Sequence, residues 1–147
     1  MKDKAIKLLG DELKLLISAD NVLKYTYKKC EPIEINMNCS QNEIDFLELL
    51  TSRFARLSDI LIKKIFRLIE KIDLDDDGTI RDTINRAEKK GLIKSADLFV
   101  EIRTLRNDFA HEYIPEAMTE IFVDVFKLTP ELFDSVNRVK DYCKKYE

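Results

Sequence analysis

Apolar residues recur three or four positions apart through most of this chain, the spacing of helices that bury one face. The first such run predicts a helix from near residue 3 to residue 29. A loop follows, in which Pro32 and the asparagines of residues 36 to 38 disfavour helix. The longest run predicts a second helix from about residue 41 to residue 72, with Ser40 as N-cap and Glu43 completing a capping box. Its apolar stripe is unusually wide, which indicates a central bundle position or a dimer interface.

Three further patterns follow along the chain. A short helix is predicted from about residue 79 to residue 90, ending at Gly91, and another begins after Ser95, with Pro115 favouring a break near residues 113 and 114. The last helical region, residues 116 to 146, is expected to be interrupted, with Thr129 and Pro130 as the N-cap and first residue of a new helix. With no alternating strand pattern, the prediction is an all-α, up-and-down bundle of four to five helices in a single domain, residues 1 to 147.

Composition agrees with this and limits the chemistry. The chain of 147 residues is 45 % apolar and 36 % charged, with three Gly and three Pro, which is typical of a helical domain without a membrane-spanning segment. Its first residues run into a charged amphipathic pattern instead of an apolar signal core, so we expect a cytoplasmic protein with no membrane partner. The formal charge of −3 means that any nucleic-acid binding needs a local basic patch.

Metal ligands are scarce. Cys30, Cys39 and Cys143 lack metal-ligand spacing and His111 is the single histidine, so neither a zinc site nor any other metal or cofactor is expected. Residues 73 to 80 match the first eight positions of an EF-hand loop, but the twelfth position is Ile84 where calcium needs a bidentate carboxylate. We interpret the segment as an acidic inter-helix loop with a Gly turn and an Asp or Thr N-cap, with a weak cation site as the alternative.

The segment of residues 106 to 113, with the sequence RNDFAHEY, holds the most distinctive chemistry. Histidine exchanges protons near neutral pH, and here an arginine and a tyrosine flank it in the spacing R-x4-H-x-Y. On a helical wheel, in which successive residues turn by about 100°, the apolar and the polar residues around this segment face different directions. The core stripe is Leu98, Ile102, Leu105 and Phe109; the polar face, centred on Ala110, is Arg103, Arg106, Asn107 and His111.

Three expectations follow from this wheel. Asn107 lies one turn before His111 and is able to orient its imidazole. Tyr113 returns to the side of Arg106 if the helix persists that far. Phe99 falls on the polar side, which suggests that another surface, such as a second copy of the chain, covers it. The alternatives are a histidine whose hydrogen bonds are satisfied within the core, an ordinary solvated helix face and, for Tyr113, an amphipathic tyrosine at a helix end.

These residues resemble the R-x4-H-x-Y signature of the HepT-like group of HEPN-domain toxins, including the Asn after the Arg. The leucine-rich helix, the Asp-Gly loop and the Pro after the motif are also similar to that family. The resemblance implies a homodimeric, metal-independent endoribonuclease that acts as the toxin of a type II toxin–antitoxin system. It further implies Arg106 and His111 as the catalytic pair, Asn107 as the supporting polar residue, and Tyr113 as the site at which a minimal nucleotidyltransferase antitoxin adds AMP.

The residue chemistry agrees with that expectation. Histidine serves as a general acid or base, and arginine binds a phosphate bidentately. The expected substrate is an RNA such as a tRNA or an mRNA, and Arg103 is a further candidate phosphate contact. Two other interpretations stay open: a non-catalytic helical partner that presents Tyr113 or a nucleotide to a nucleotidyltransferase, and a purely structural dimerising bundle.

Overall fold

The computed structural model describes residues 2–75 and 77–147, and every regular element within them is helical. This confirms the predicted all-α class. The helices are α1 (Lys2–Cys30), α2 (Gln41–Asp59), a π-helical segment (Ile60–Ile65), α3 (Phe66–Ile72), α4 (Ile80–Lys90), α5 (Ala96–His111), α6 (Pro115–Cys143) and a closing 3-10 turn (Lys144–Tyr146). None of the described helices combines the length and apolar character that crossing a membrane requires.

The predicted second helix is one rod in three parts. Its capping box is confirmed, because the Glu43 N–H donates to Ser40 Oγ at 3.2 Å and the Ser40 N–H donates to Glu43 Oε1 at 2.9 Å. In the middle, the Phe66 N–H donates to the carbonyl of Leu61, five residues back, which widens the turn into a π-helix. The rod packs against α1, α5 and α6, so a central position in the bundle accounts for its wide apolar stripe.

The last long helix corrects the sequence prediction. α6 runs from Pro115 to Cys143 without the interruption expected at Thr129 and Pro130. The Thr129 hydroxyl is fully buried and donates to the carbonyl of Val125 at 2.6 Å instead of capping a new helix. Val125 and Leu132, on either side of the proline, are completely buried in the core. The prediction was wrong because core packing over the whole length of α6 outweighs the local cost of one proline.

The ends of α5 agree with the sequence. Gly91 ends α4 in the left-handed conformation, with φ of 78°, and the Ser95 hydroxyl caps α5 by accepting from the Leu98 N–H at 3.3 Å. After His111 the chain leaves the helix, and Glu112 Oε1 accepts from the backbone N–H groups of the two following residues at 3.0 and 2.9 Å. The break predicted before Pro115 is therefore confirmed.

The acidic loop after α3 is tied to the bundle by its first carboxylate. Asp73 accepts hydrogen bonds from Lys90 at 2.7 Å, Tyr142 at 2.5 Å and Tyr146 at 2.8 Å. Burial alone raises the pKa of Asp73, but these three donors outweigh it and hold the pKa below its ordinary value. The same loop therefore fastens the C-terminal turn to α4.

The rest of the loop fits the interpretation of an acidic connection with a Thr cap. Gly78 has φ of 98°, and Thr79 and Asp82 form a capping box at the start of α4. Asp77 accepts from Arg86 at 3.0 Å, so this carboxylate also faces a cation of the chain itself. Asp76, which the EF-hand comparison includes, lies outside the described residues, as does Met1. Among the described residues, no group of three or more His, Cys, Asp or Glu side chains is arranged to hold a metal ion.

Candidate functional site

Arg106 is half-buried because its side chain crosses from α5 to the end of α2. Its Nε donates to Asp59 Oδ1 at 3.1 Å and to Oδ2 at 3.3 Å, and its Nη2 donates to Oδ2 at 3.1 Å. A two-pronged contact of this kind fixes the plane of the guanidinium as well as its position. Nη1 takes no part in the contact with Asp59, so that edge of the guanidinium is left for another acceptor.

Asp59 is the site residue that sequence reasoning missed. It lies 47 positions before Arg106, and no local spacing links the two. The available signal was a single acidic residue at the start of the apolar run of residues 60 to 62. Asp59 is also the last residue of α2, where the π-helical segment begins. Such π-helical turns are frequent at functional sites, and here the turn lies beside the candidate arginine.

Arg106 and Asp59 line an open groove of about 450 Å³. The wall opposite α5 comes from the outer side of α2 and the π-helical segment. Its lining residues are Ser52, Ala55, Arg56, Asp59, Ile60, Lys63, Lys64 and Arg106. The Lys63 ammonium lies 3.8 Å from Asp59 Oδ1, so cations approach this carboxylate from two sides. The groove thus presents a positively charged edge to solvent, which suits an anionic ligand.

His111 is exposed and forms the last residue of α5. Within the described residues, neither its imidazole nor the exposed Asn107 side chain forms a hydrogen bond. The single chain therefore places the two on the same solvent-facing side of α5 without the contact that the sequence suggested. Arg103 and Ala110 are exposed on that helix as well, as the helical wheel predicts.

Tyr113 lies beyond the end of the helix, so the condition for its return to the side of Arg106 is not met. Its side chain is 87 % exposed and lines a different hollow, of about 260 Å³, beside the loop before α2 and the start of α6. Other residues that line this hollow include Met37, Pro115 and Met118. Arg106 and Tyr113 therefore line two separate hollows of the single chain.

Phe99 also departs from the prediction. Its ring is 2 % exposed and packs against Phe66 of α3, with the ring centres 6.1 Å apart. The polar face of α5 begins further round the helix than the helical wheel suggested, because Phe99 belongs to the buried core. The chain's own core thus covers the ring, and Phe99 gives no argument for a second copy. The predicted core residues Ile102 and Leu105 are buried, and Leu98 and Phe109 are half-buried against the core.

Comparison with known proteins gives no neighbour: no family model, no curated protein and no solved structure matches this chain.

Proposed function

We propose that this protein is a metal-independent endoribonuclease toxin of a type II toxin–antitoxin system, with Arg106 and His111 as its catalytic pair. The observation that carries the proposal is the contact between Arg106 and Asp59. An arginine held by a fork of hydrogen bonds at the edge of a cationic groove is suited to receive a phosphate. An exposed histidine five residues later on the same helix supplies the group that moves protons.

The proposed reaction needs no group outside the RNA and the protein. The 2′-hydroxyl of the nucleotide before the scissile bond loses its proton to a base and attacks the adjacent phosphorus. The bond from phosphorus to the 5′-oxygen breaks, and the leaving oxygen takes a proton. Arg106 stabilises the negative charge that grows on the phosphate oxygens, and the imidazole of His111 is the base or the acid.

One histidine per chain is a constraint on this mechanism. A single imidazole is not able to remove one proton and donate another within the same step, so the proposal includes a homodimer in which two copies of α5 contribute to one cleft. The exposed polar face of α5, with Arg103, Asn107 and His111, supports such a meeting. No further cation or cofactor is required in this scheme.

Tyr113 is the proposed point of control. Its side chain is 87 % exposed, so a minimal nucleotidyltransferase antitoxin has access to the hydroxyl. Transfer of AMP to that oxygen, with release of pyrophosphate from ATP, adds bulk and negative charge two residues from His111. The adduct would oppose entry of the RNA backbone by charge repulsion. The same exposure favours the second candidate, a non-catalytic partner that presents Tyr113 to a nucleotidyltransferase.

Cleavage of RNA by the purified chain in excess chelator tests the proposal. We expect an RNA to be cut and the same oligonucleotide with 2′-deoxyribose at the cleavage position to resist, because the nucleophile is missing. Absence of RNA cleavage by the purified protein would favour the non-catalytic partner.

Mass spectrometry tests the regulation through Tyr113. The peptide that contains Tyr113 is expected to gain the mass of one or more AMP units when a cognate nucleotidyltransferase and ATP are present. A Tyr113→Phe chain that still gains this mass would contradict Tyr113 as the acceptor.

A further inference from the structure

Cations line the outer side of the central rod, which consists of α2, the π-helical segment and α3, for most of its length. We call this set the basic track: Arg53, Arg56, Lys63, Lys64, Arg67 and Lys71. Successive cations lie three, seven, one, three and four positions apart, and at about 100° per residue these spacings put all six on one side of the helix. Four of them are exposed, and Arg53 and Arg67 are half-buried. At the rise of a helix the track extends over about 27 Å.

Three neighbouring hollows lie along the track, with volumes of about 450, 510 and 420 Å³. Lys64 lines all three, so they form one continuous surface, and Arg106 lies in the first. Among the described residues that line them, the carboxylates are Glu12 and Asp59, and Asp59 is already bound to Arg106. The chain carries a net charge of −3, yet this side of it is locally cationic.

The charge on another side of the bundle has the opposite sign. A hollow between α5 and α6 is lined by Glu101, Asp108 and Asp124, with Lys127 as the cation. A polyanion is therefore attracted to one side of the molecule and repelled from another. Because the chain as a whole is negatively charged, it needs a local basic patch to bind a nucleic acid, and the basic track is such a patch.

An exposed aliphatic row lies beside the basic track. Leu8, Leu15 and Val22 recur every seven residues along α1 and are 46 %, 54 % and 39 % exposed. Leu8 lines one of the cationic hollows, and the other two line the next. A ligand that follows the track therefore meets cations on one side and apolar surface on the other.

We propose that the basic track binds the phosphates of a single-stranded RNA and that the aliphatic row receives its unpaired bases. The identification of the polyanion as RNA rests on the proposed ribonuclease function. A single strand exposes the apolar faces of its bases beside its charged backbone, which matches the two parallel rows. In a duplex the bases are paired and stacked inside, so the aliphatic row has nothing to contact. The strand continues from the track to Arg106 at the edge of the first hollow.

Fluorescence anisotropy with a labelled RNA of about ten nucleotides tests the track. His111→Ala is introduced into every chain so that the RNA stays intact. Lys64→Gln combined with Arg67→Gln is expected to weaken binding about tenfold, and to reduce the slope of log affinity against log salt by about 1.4, because two phosphate contacts are lost. The matched control, Lys127→Gln with Lys140→Gln, makes the same change in net charge on exposed residues of α6 and is expected to change neither quantity. Equal affinities for the two double variants would overturn the track.

Two further arms test the single strand and the aliphatic row. A duplex of the same length is expected to bind more weakly than the single strand, and equal or tighter binding of the duplex would overturn the assignment to single-stranded RNA. Leu15→Gln is expected to weaken binding of the single strand while the mass of the protein in solution stays unchanged. If Leu15→Gln instead converts a dimer into a monomer, the row is an interface between copies and its assignment to bases is wrong.

Failure of this inference is distinguishable from failure of the proposed function. Suppose that the Lys64→Gln, Arg67→Gln chain with His111 intact still cleaves RNA and binds it as tightly as before. The basic track is then not the RNA-binding surface, but the ribonuclease function still stands. If substitutions in the basic track weaken RNA binding but the wild-type chain never cleaves RNA, the binding surface is supported and the ribonuclease function is contradicted.

Discussion

The guanidinium of Arg106 and the carboxylate of Asp59 join α5 to the end of α2 through three N–H···O contacts of 3.1 to 3.3 Å. Both side chains are about 30 % exposed, at 28 % and 31 %. A pair this accessible adds little to stability, since water and salt screen it. Its consequence is geometric: Asp59 holds the arginine in one orientation at the edge of the groove.

Asp59→Asn is therefore expected to affect cleavage more than folding. The neutral amide loses the charge-assisted fork, and misplacement of a phosphate-binding group costs about 10- to 100-fold in rate. The free energy of unfolding in urea should change by less than about 1 kcal/mol. Single-turnover cleavage under chelator measures the first quantity. Asp97→Asn, at an exposed position that lies 3.9 Å from Arg81, is the control and should cleave at the wild-type rate. A wild-type rate for Asp59→Asn would show that the contact has no part in positioning Arg106.

Pro130→Ala is expected to stabilise the protein. Residue 130 lies inside α6, where proline has no N–H to donate to the carbonyl four residues earlier. Alanine restores that donor and removes the steric conflict of the ring, so the free energy of unfolding should rise by about 1 to 3 kcal/mol. Thermal or urea unfolding measures the change. Glu131→Ala, at the next position of the same helix, serves as control and should have little effect. Destabilisation by Pro130→Ala would mean that α6 depends on the proline for its course.

Asp73→Asn tests the fastening of the C-terminal turn. Because the folded-state pKa of Asp73 lies below its unfolded value, its stabilising effect is present above the ordinary pKa of an aspartate and is lost as the pH falls through the folded value. The variant should be less stable than wild type near neutral pH by about 1 kcal/mol after solvent screening. The difference should shrink once the medium is acidic enough to protonate Asp73 in the folded protein. Urea unfolding at several pH values measures it, and a difference that does not depend on pH would contradict the assigned role of the charge.

The features that the sequence predicted correctly are those determined by neighbouring residues. Ser40 with Glu43, and Gly91 after α4, carry their capping chemistry within one turn of helix, so their conformations were readable from spacing alone. A helix break before Pro115 was predictable for the same reason, because a proline restricts the residue that precedes it. The helix ends at His111, however, two residues before the predicted break near residues 113 and 114.

The features that it missed depend on packing between distant elements. Asp59 reaches Arg106 only after α2 and α5 are placed side by side. Phe99 is buried because it joins a core that several helices build together, where its ring lies near that of Phe66. Pro130 remains helical because core residues on both sides of it keep α6 continuous. The cations of the basic track lie on the one helix predicted for residues 41 to 72, so their alignment was readable from the sequence. The hollows beside them were not, because these exist only once α1 lies next to the rod.

The most direct measurement is the rate at which the purified chain cleaves RNA in excess chelator, compared among wild type, Arg106→Ala and His111→Ala. Lys94→Ala, which removes an exposed cation just before α5, is the matched control. Wild type and the control are expected to cleave at the same rate, and each of the other two variants is expected to lose at least about 100-fold in rate while remaining folded. Cleavage that survives in both Arg106→Ala and His111→Ala would contradict the assignment of this site.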